Sequence, residues 1–229
     1  MLRSLFVNPA FYVWGIVMNV GCVPVLAGPP SWTVACQRVW AKGVLLILRI
    51  AGIGMAVRGT VPAGACIVAC KHQSAWDTII WHALLDDPAI VMKKELLSIP
   101  FYGWYSVKAR MIPVDRKAGA AAMRGMLRAA QAAADLKRPI VIFPQGTRVA
   151  PGVAAPYQPG IAALYRALNV PVVPVALNSG LLWPRRGFAR RPGTVTLQFL
   201  EPIPPGLSRD AFMAELEQRI ETASQALLA

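Results

Sequence analysis

Residues 65–77 read ACIVACKHQSAWD: six apolar residues give way to a lysine and a histidine, with a carboxylate five positions past the histidine. A second stretch of the same design lies at 139–148, PIVIFPQGTR, where PIVIF gives way to Gln145, Gly146, Thr147 and Arg148. Short apolar runs that stop at turn residues are the pattern of strands buried on both faces, as in a parallel sheet. Working outward, 89–92 (AIVM), 110–114 (RMIPV), 172–176 (VVPVA) and 194–199 (TVTLQF) read as further strands. Between them 74–85, 118–134 and 160–168 read as helices. Met123, Met126, Leu127 and Ala130 give the middle one an apolar face opposite Arg124, Arg128 and Gln131. Ser208 is placed to cap a last helix with Phe212, Leu216, Ile220 and Leu227 at its apolar positions. Strand–helix alternation predicts an α/β domain over 58–229, a mixed, largely parallel sheet flanked by helices.

Upstream of that domain no charge occurs between Arg3 and Arg38. The run 5–26 would form a helix of about 33 Å, close to the roughly 30 Å hydrocarbon core of a bilayer. A second apolar run, 32–57, carries Arg38, Lys42 and Arg49, and Trp14, Trp32 and Trp40 suit the water–lipid boundary. Residues 1–57 therefore read as a membrane-associated helical hairpin with both ends cytoplasmic. This seats the protein on the inner (cytoplasmic) membrane, with its active site facing the cytoplasm. The competing reading is a signal peptide cleaved near Val25-Leu26-Ala27, against which the apolar stretch is long.

Composition agrees with a membrane partner. Charged residues make up 15% of the 229 against roughly 25% in soluble domains, and apolar residues 55%. The net charge of +13 calls for something acidic: lipid headgroups, a carrier protein, a phosphorylated substrate or nucleic acid. No helix-turn-helix, RNA-binding aromatic block or zinc finger supports nucleic acid. The basic loop 184–193, with Arg185, Arg186, Arg190 and Arg191, is the candidate for lipid or carrier contact, or an ordinary solvated loop. Cys22, Cys36, Cys66 and Cys70 form no C-x-x-C pair and, with His72 and His82, complete no zinc pattern. They read as small buried hydrophobes in a reducing compartment rather than a disulfide or reactive thiol.

The chemistry is expected where both polar loops leave their strands, because ligands collect beyond the carboxyl ends of strands in open α/β sheets. If a helix starts near Ser74, His72 sits in the loop before it and folds back over Asp77 in the first turn. A carboxylate on one ring nitrogen fixes the tautomer and leaves the other nitrogen free to take a proton. That is a general-base dyad without a protein nucleophile, suited to a substrate hydroxyl that attacks. The plain alternative for His72 is a loop histidine bonded to backbone. Gly146 allows close backbone approach to an anion, and Arg148 and Arg116 offer forks matched to phosphate. Taken singly, each also reads as an ordinary turn or a surface charge, Arg116 pairing with Asp115. His82 reads as structural.

Together these segments resemble the glycerophospholipid acyltransferase family, and within it the bacterial lysophosphatidic acid acyltransferases. The His-x4-Asp block matches His72 and Asp77. A second block looks like 93–96 through Val114-Asp115-Arg116, the Pro-Glu-Gly-Thr-Arg block matches Pro144, Gly146, Thr147 and Arg148, and an apolar fourth block looks like 170–175. The resemblance covers about residues 58–200. Two positions depart from it: Lys71 stands where many members have asparagine, and Gln145 where the third block has glutamate. The resemblance implies that His72 deprotonates the acceptor hydroxyl, which attacks the thioester of acyl-carrier protein or coenzyme A while Asp77 orients the imidazole. It also implies that Arg116, Gln145, Gly146, Thr147 and Arg148 form the acceptor's phosphate site. No bound cofactor or metal is implied. The expected partners are membrane lipid, a lysophospholipid substrate and acyl-carrier protein. Lyso-ornithine lipid is the alternative acceptor, and a non-catalytic basic membrane binder the reading from another class.

Overall fold

The computed structural model describes residues 2–228. Seven strands form one sheet: β1 Ile53–Arg58, β2 Ile67–Cys70, β3 Ala89–Lys93, β4 Ile112–Val114, β5 Ile140–Ile142, β6 Val172–Leu177 and β7 Gly193–Phe199. Their order is β1-β7-β6-β2-β5-β3-β4. Every neighbouring pair is parallel except β6–β7. The mixed, largely parallel sheet expected from the alternation is present. β2 lies at its centre, between β5 and β6, and both polar loops leave neighbouring parallel strands at the same edge of the sheet.

Eight α-helices accompany it among the described residues: α1 Leu2–Gly21, α2 Pro30–Ile50, α3 Trp76–Leu84, α4 Tyr102–Lys108, α5 Gly119–Asp135, α6 Gly160–Leu168, α7 Ser179–Leu182 and α8 Arg209–Ala226. The period-two alternation of β2 builds two cores. Cys66, Val68 and Cys70 point toward Ile79, Ile80, Val44 and Leu48 of α3 and α2. Ile67 and Ala69 point toward Met126, Leu164 and Phe212 of α5, α6 and α8. A strand with apolar residues at every position is what two covered faces require. In α8, Ser208 accepts the Ala211 N–H at 3.3 Å as its cap, and Phe212, Leu216 and Ile220 are buried. Leu227 falls beyond the helix as its C-cap.

The N-terminal region differs from the expectation in two ways. The run 32–57 is not one helix. α2 stops at Ile50, Gly52 turns at φ +79°, and the remainder is β1, paired along its length with β7. Short apolar runs do not distinguish helix from strand, and the partner that decides this one lies far downstream. Residue 58 thus ends the first strand of the sheet rather than preceding it. The second difference is a disulfide between Cys22 and Cys36, with Cα atoms 6.7 Å apart. The 3-10 turn Val23–Ala27 reverses the chain and brings the pair together, which spacing alone cannot show. Cys66 and Cys70 are free and buried, as expected for small core residues.

α1 is docked on the body. The Arg3 guanidinium donates to the Ala51 carbonyl at 3.2 Å, Asn8 to Phe188 at 3.1 Å and the Trp14 indole to Trp40 at 3.0 Å. Its outer face leaves Leu5, Phe6, Tyr12, Val13, Ile16, Val17 and Val20 exposed. Among the described helices, α1 is long and apolar enough over Arg3–Gly21 to cross a membrane by length and composition.

Candidate active site

The site starts from the loop after β2. α3 begins at Trp76, so Asp77 stands in its first turn and His72 in the loop ahead of it. The His72 Nδ1 lies 3.0 Å from Asp77 Oδ2. The same oxygen accepts the Gln73 N–H at 2.6 Å and the Ser74 N–H at 2.7 Å. The Ser74 hydroxyl accepts only the Trp76 N–H, and it is the Asp77 carboxylate that gathers the loop's donors. Three donors on one oxygen fit an ionised carboxylate and place the ring proton on Nδ1. Nε2 then carries a lone pair, and among the described residues no group bonds to it. Asp77 is fully buried, while the His72 side chain keeps 11% of its surface open.

The imidazole is fixed from other directions too. Phe143 stacks on it with centroids 4.2 Å apart. Gln145 Oε1 accepts the His72 N–H at 3.3 Å, and the His72 carbonyl accepts the Val149 N–H at 2.8 Å. The loop after β5 thus holds the loop after β2.

His72 lines a cleft of about 580 Å³ together with Arg116, Gly146, Thr147 and Arg148. Its remaining wall is largely apolar, with Ile90, Met92, Leu96, Met111, Met123 and Met126. Through Trp40, His82 and Tyr102 it adjoins a smaller cavity of about 80 Å³ walled by Met18 and the Cys22–Cys36 pair. Gly146 adopts φ +70°, a conformation L side chains resist, and a Cβ there would stand 3.3 Å from the Arg116 guanidinium nitrogens. Arg116 does not pair with Asp115, whose carboxylate meets Lys94 at 3.3 Å and caps Lys117. It lies over the glycine turn, and among the described residues no carboxylate pairs with it.

Two of the predicted residues fall elsewhere. Gln145, expected in the phosphate site, is buried and does not line the cleft; its side chain instead accepts the His72 backbone N–H. Arg190 is committed to the body: its guanidinium stacks 4.6 Å over Trp183 and its N–H donates to Ser4 of α1. Arg185 lines the cleft and donates to the Arg148 carbonyl at 2.9 Å. Cys66 and Cys70 are absent from the cleft. Burial raises the Cys66 thiol to about 11 and Cys70 well above the usual range, so both stay protonated. Among the described residues no three His, Cys, Asp or Glu side chains converge as a metal would require.

The acyltransferase family model matches residues 55–178, more than half of the chain. The chain belongs to the acyltransferase family. This acyltransferase is 30% identical over 224 residues to the 1-acyl-sn-glycerol-3-phosphate acyltransferase of Pseudomonas aeruginosa, spanning 96% of this chain and 86% of that one. It is 29% identical over 175 residues to the enzyme of the same name from Helicobacter pylori, spanning 75% and 73%. Its fold is that of the crystal structure of the 1-acyl-sn-glycerophosphate (LPA) acyltransferase, PlsC, from Thermotoga maritima. The TM-score is 0.82 and the identity 20%, over 100% of this chain and 97% of that one.

Sequence reasoning missed the residues that brace the His72–Asp77 pair from behind. Ser179 donates to Asp77 Oδ1 at 2.5 Å, and the Gly180 N–H donates to Gln73 Oε1 at 3.0 Å. Lys71, buried at 2% exposure, is ion-paired to Glu221 of α8. The signals for Lys71 were a lysine at the end of an apolar run and its departure from the asparagine of many family members, and nothing local pointed to Ser179.

Proposed function

We propose that this acyltransferase moves a fatty acyl group from acyl-carrier protein or coenzyme A to the sn-2 hydroxyl of 1-acylglycerol-3-phosphate, giving phosphatidic acid. The observation that carries this reading is a single cleft lined by His72, whose Nε2 has no partner among the described residues, by the guanidinium groups of Arg116, Arg148 and Arg185, and by an apolar wall. Arg116 and Arg148 meet the acceptor's phosphate, with Thr147 and the backbone around Gly146 as further donors. The apolar wall takes acyl chain. His72 Nε2 accepts the hydroxyl proton as the oxygen attacks the thioester carbonyl. When the tetrahedral intermediate collapses, the C–S bond breaks and the imidazolium returns its proton to the departing thiolate. Asp77 keeps Nε2 aimed at the hydroxyl and stabilises the imidazolium.

The N-terminal helices seat the enzyme on the cytoplasmic face of the inner membrane, where lysophospholipid resides. The exposed apolar face of α1 supports this, and so do Trp104 and Val107, exposed on α4.

Purified protein offered lysophosphatidic acid and lyso-ornithine lipid, each with both thioesters, tests the reading. Phosphatidic acid should form, and His72→Ala should lower kcat by roughly a hundred- to ten-thousand-fold. Preference for lyso-ornithine lipid, or near-normal turnover without His72, overturns it.

A further inference from the structure

We propose that Ser179 is a positioning residue for acyl transfer, acting through Asp77; this rests on the His72–Asp77 mechanism proposed above. The two oxygens of Asp77 are held very differently. Oδ2 receives His72 Nδ1 and two backbone N–H groups, whereas Oδ1 has one donor among the described residues, the Ser179 hydroxyl at 2.5 Å. Both side chains are fully buried, so no water replaces that donor. A buried carboxylate oxygen stripped of its donor is strongly disfavoured, and the side chain would turn to relieve it. Turning swings Oδ2 off Nδ1 and lets the imidazole lose its aim. Ser179 therefore fixes the carboxylate plane that the histidine reads.

The neighbouring residue reinforces the brace. Gly180 donates its N–H to Gln73 Oε1 at 3.0 Å, and a Cβ there would come within 2.8 Å of Pro151 and 3.0 Å of Gln73 Cβ. The corner between β6 and α7 thus grips the 73–77 loop at two points. Ser179 does not line the cleft and touches no reacting atom. It also lies one residue past the end of the family match at 178.

The experiment compares Ser179→Ala and the near-isosteric Ser179→Cys, a weak donor, with the wild type and in an Asp77→Asn background. Lysophosphatidic acid and an acyl-coenzyme A in mixed micelles serve as substrates, and melting curves confirm the fold. Ser179→Ala should lower kcat about ten- to a hundredfold, the worth of one hydrogen bond to a charged group. Ser179→Cys should fall between, and KM for both substrates should change less than threefold. In the Asp77→Asn background the Ser179→Ala loss should shrink below threefold, because the residue acts through that carboxylate. Wild-type kcat in a folded Ser179→Ala protein, or an equal loss in both backgrounds, overturns the proposal. If Ser179→Ala does not melt cooperatively, Ser179→Cys is read by the same criteria. A wild type that acylates the lysolipid while the Ser179 variants match it removes only Ser179. A wild type inert toward every lysolipid with either thioester, acyl-coenzyme A or acyl-carrier protein, removes the proposed reaction and this inference with it.

Discussion

Lys71, the residue immediately before His72, forms an ion pair with Glu221 in the last helix, and Tyr157 donates its hydroxyl to the other oxygen of that carboxylate at 3.0 Å. Burial and the neighbouring Glu221 both raise the Tyr157 phenol, so it remains a donor. α8 is thereby tied to the strand end that delivers the dyad. Glu221→Gln strands a buried ammonium and should destabilise the fold by about 3 kcal/mol, read by chemical denaturation. Lys71→Met with Glu221→Leu should cost less than either change alone. A single mutant as stable as the wild type would show that the pair contributes nothing.

Arg116 and Arg148 should act on acceptor binding. Replacing either with Ala is expected to raise acceptor KM about ten- to a hundredfold, with the thioester KM little changed. Gly146→Ala should do the same more mildly while lowering stability by about 1 kcal/mol, since it forces a side chain to φ +70° beside Arg116. Steady-state kinetics with each substrate varied in turn would expose an effect on kcat alone, which would remove the arginines from acceptor binding.

His82 sets an acid limit on stability. Burial lowers its imidazole from the ordinary 6.5 to about 4, so it stays neutral in the fold. Below pH 6.5 the unfolded chain takes up a proton that the folded chain refuses until about pH 4. Stability therefore falls as pH drops through that window and levels off beneath it. The loss between pH 7.5 and 4.5 should be about 2 kcal/mol greater in the wild type than in His82→Phe, by denaturant titration. Parallel pH profiles for the two proteins would contradict this.

Val13, Ile16, Val17 and Val20 recur at helical spacing on α1 and are all exposed. Replacing the four with serine should weaken partition onto anionic vesicles at least about tenfold, because each large apolar side chain contributes on the order of 1 kcal/mol or more. Melting temperature should move little, since all four side chains are more than half exposed. Sedimentation with vesicles measures the first and calorimetry the second. Unchanged sedimentation would move the membrane contact elsewhere.

Much of this was legible in local patterns. Two apolar runs ending in KHQSAWD and PQGTR announced two buried strands with chemistry at their carboxyl ends, since a strand covered on both faces is apolar at every position. The helices over 118–134 and 160–168 were legible because period-3.6 patterning is a property of contiguous residues. Position in the chain even suggested that His72 would fold back over Asp77.

What stayed hidden depends on residues distant in the chain. β1 became a strand because β7 pairs with it, Cys22 and Cys36 bonded because a turn brings two helices together, and Gln145 stands off the cleft because packing turned it toward the His72 backbone. Ser179 reached Asp77 from 102 positions away through the order of strands alone. The sequence by itself determined most of the sheet and its covering helices, though not β1, α4 or α7, and which residue types can do acyl transfer, because those follow from side-chain chemistry and short-range periodicity. Only the tertiary structure decided which polar groups meet, because a buried hydrogen bond is selected by the closing of the whole core, and no local pattern encodes its partner.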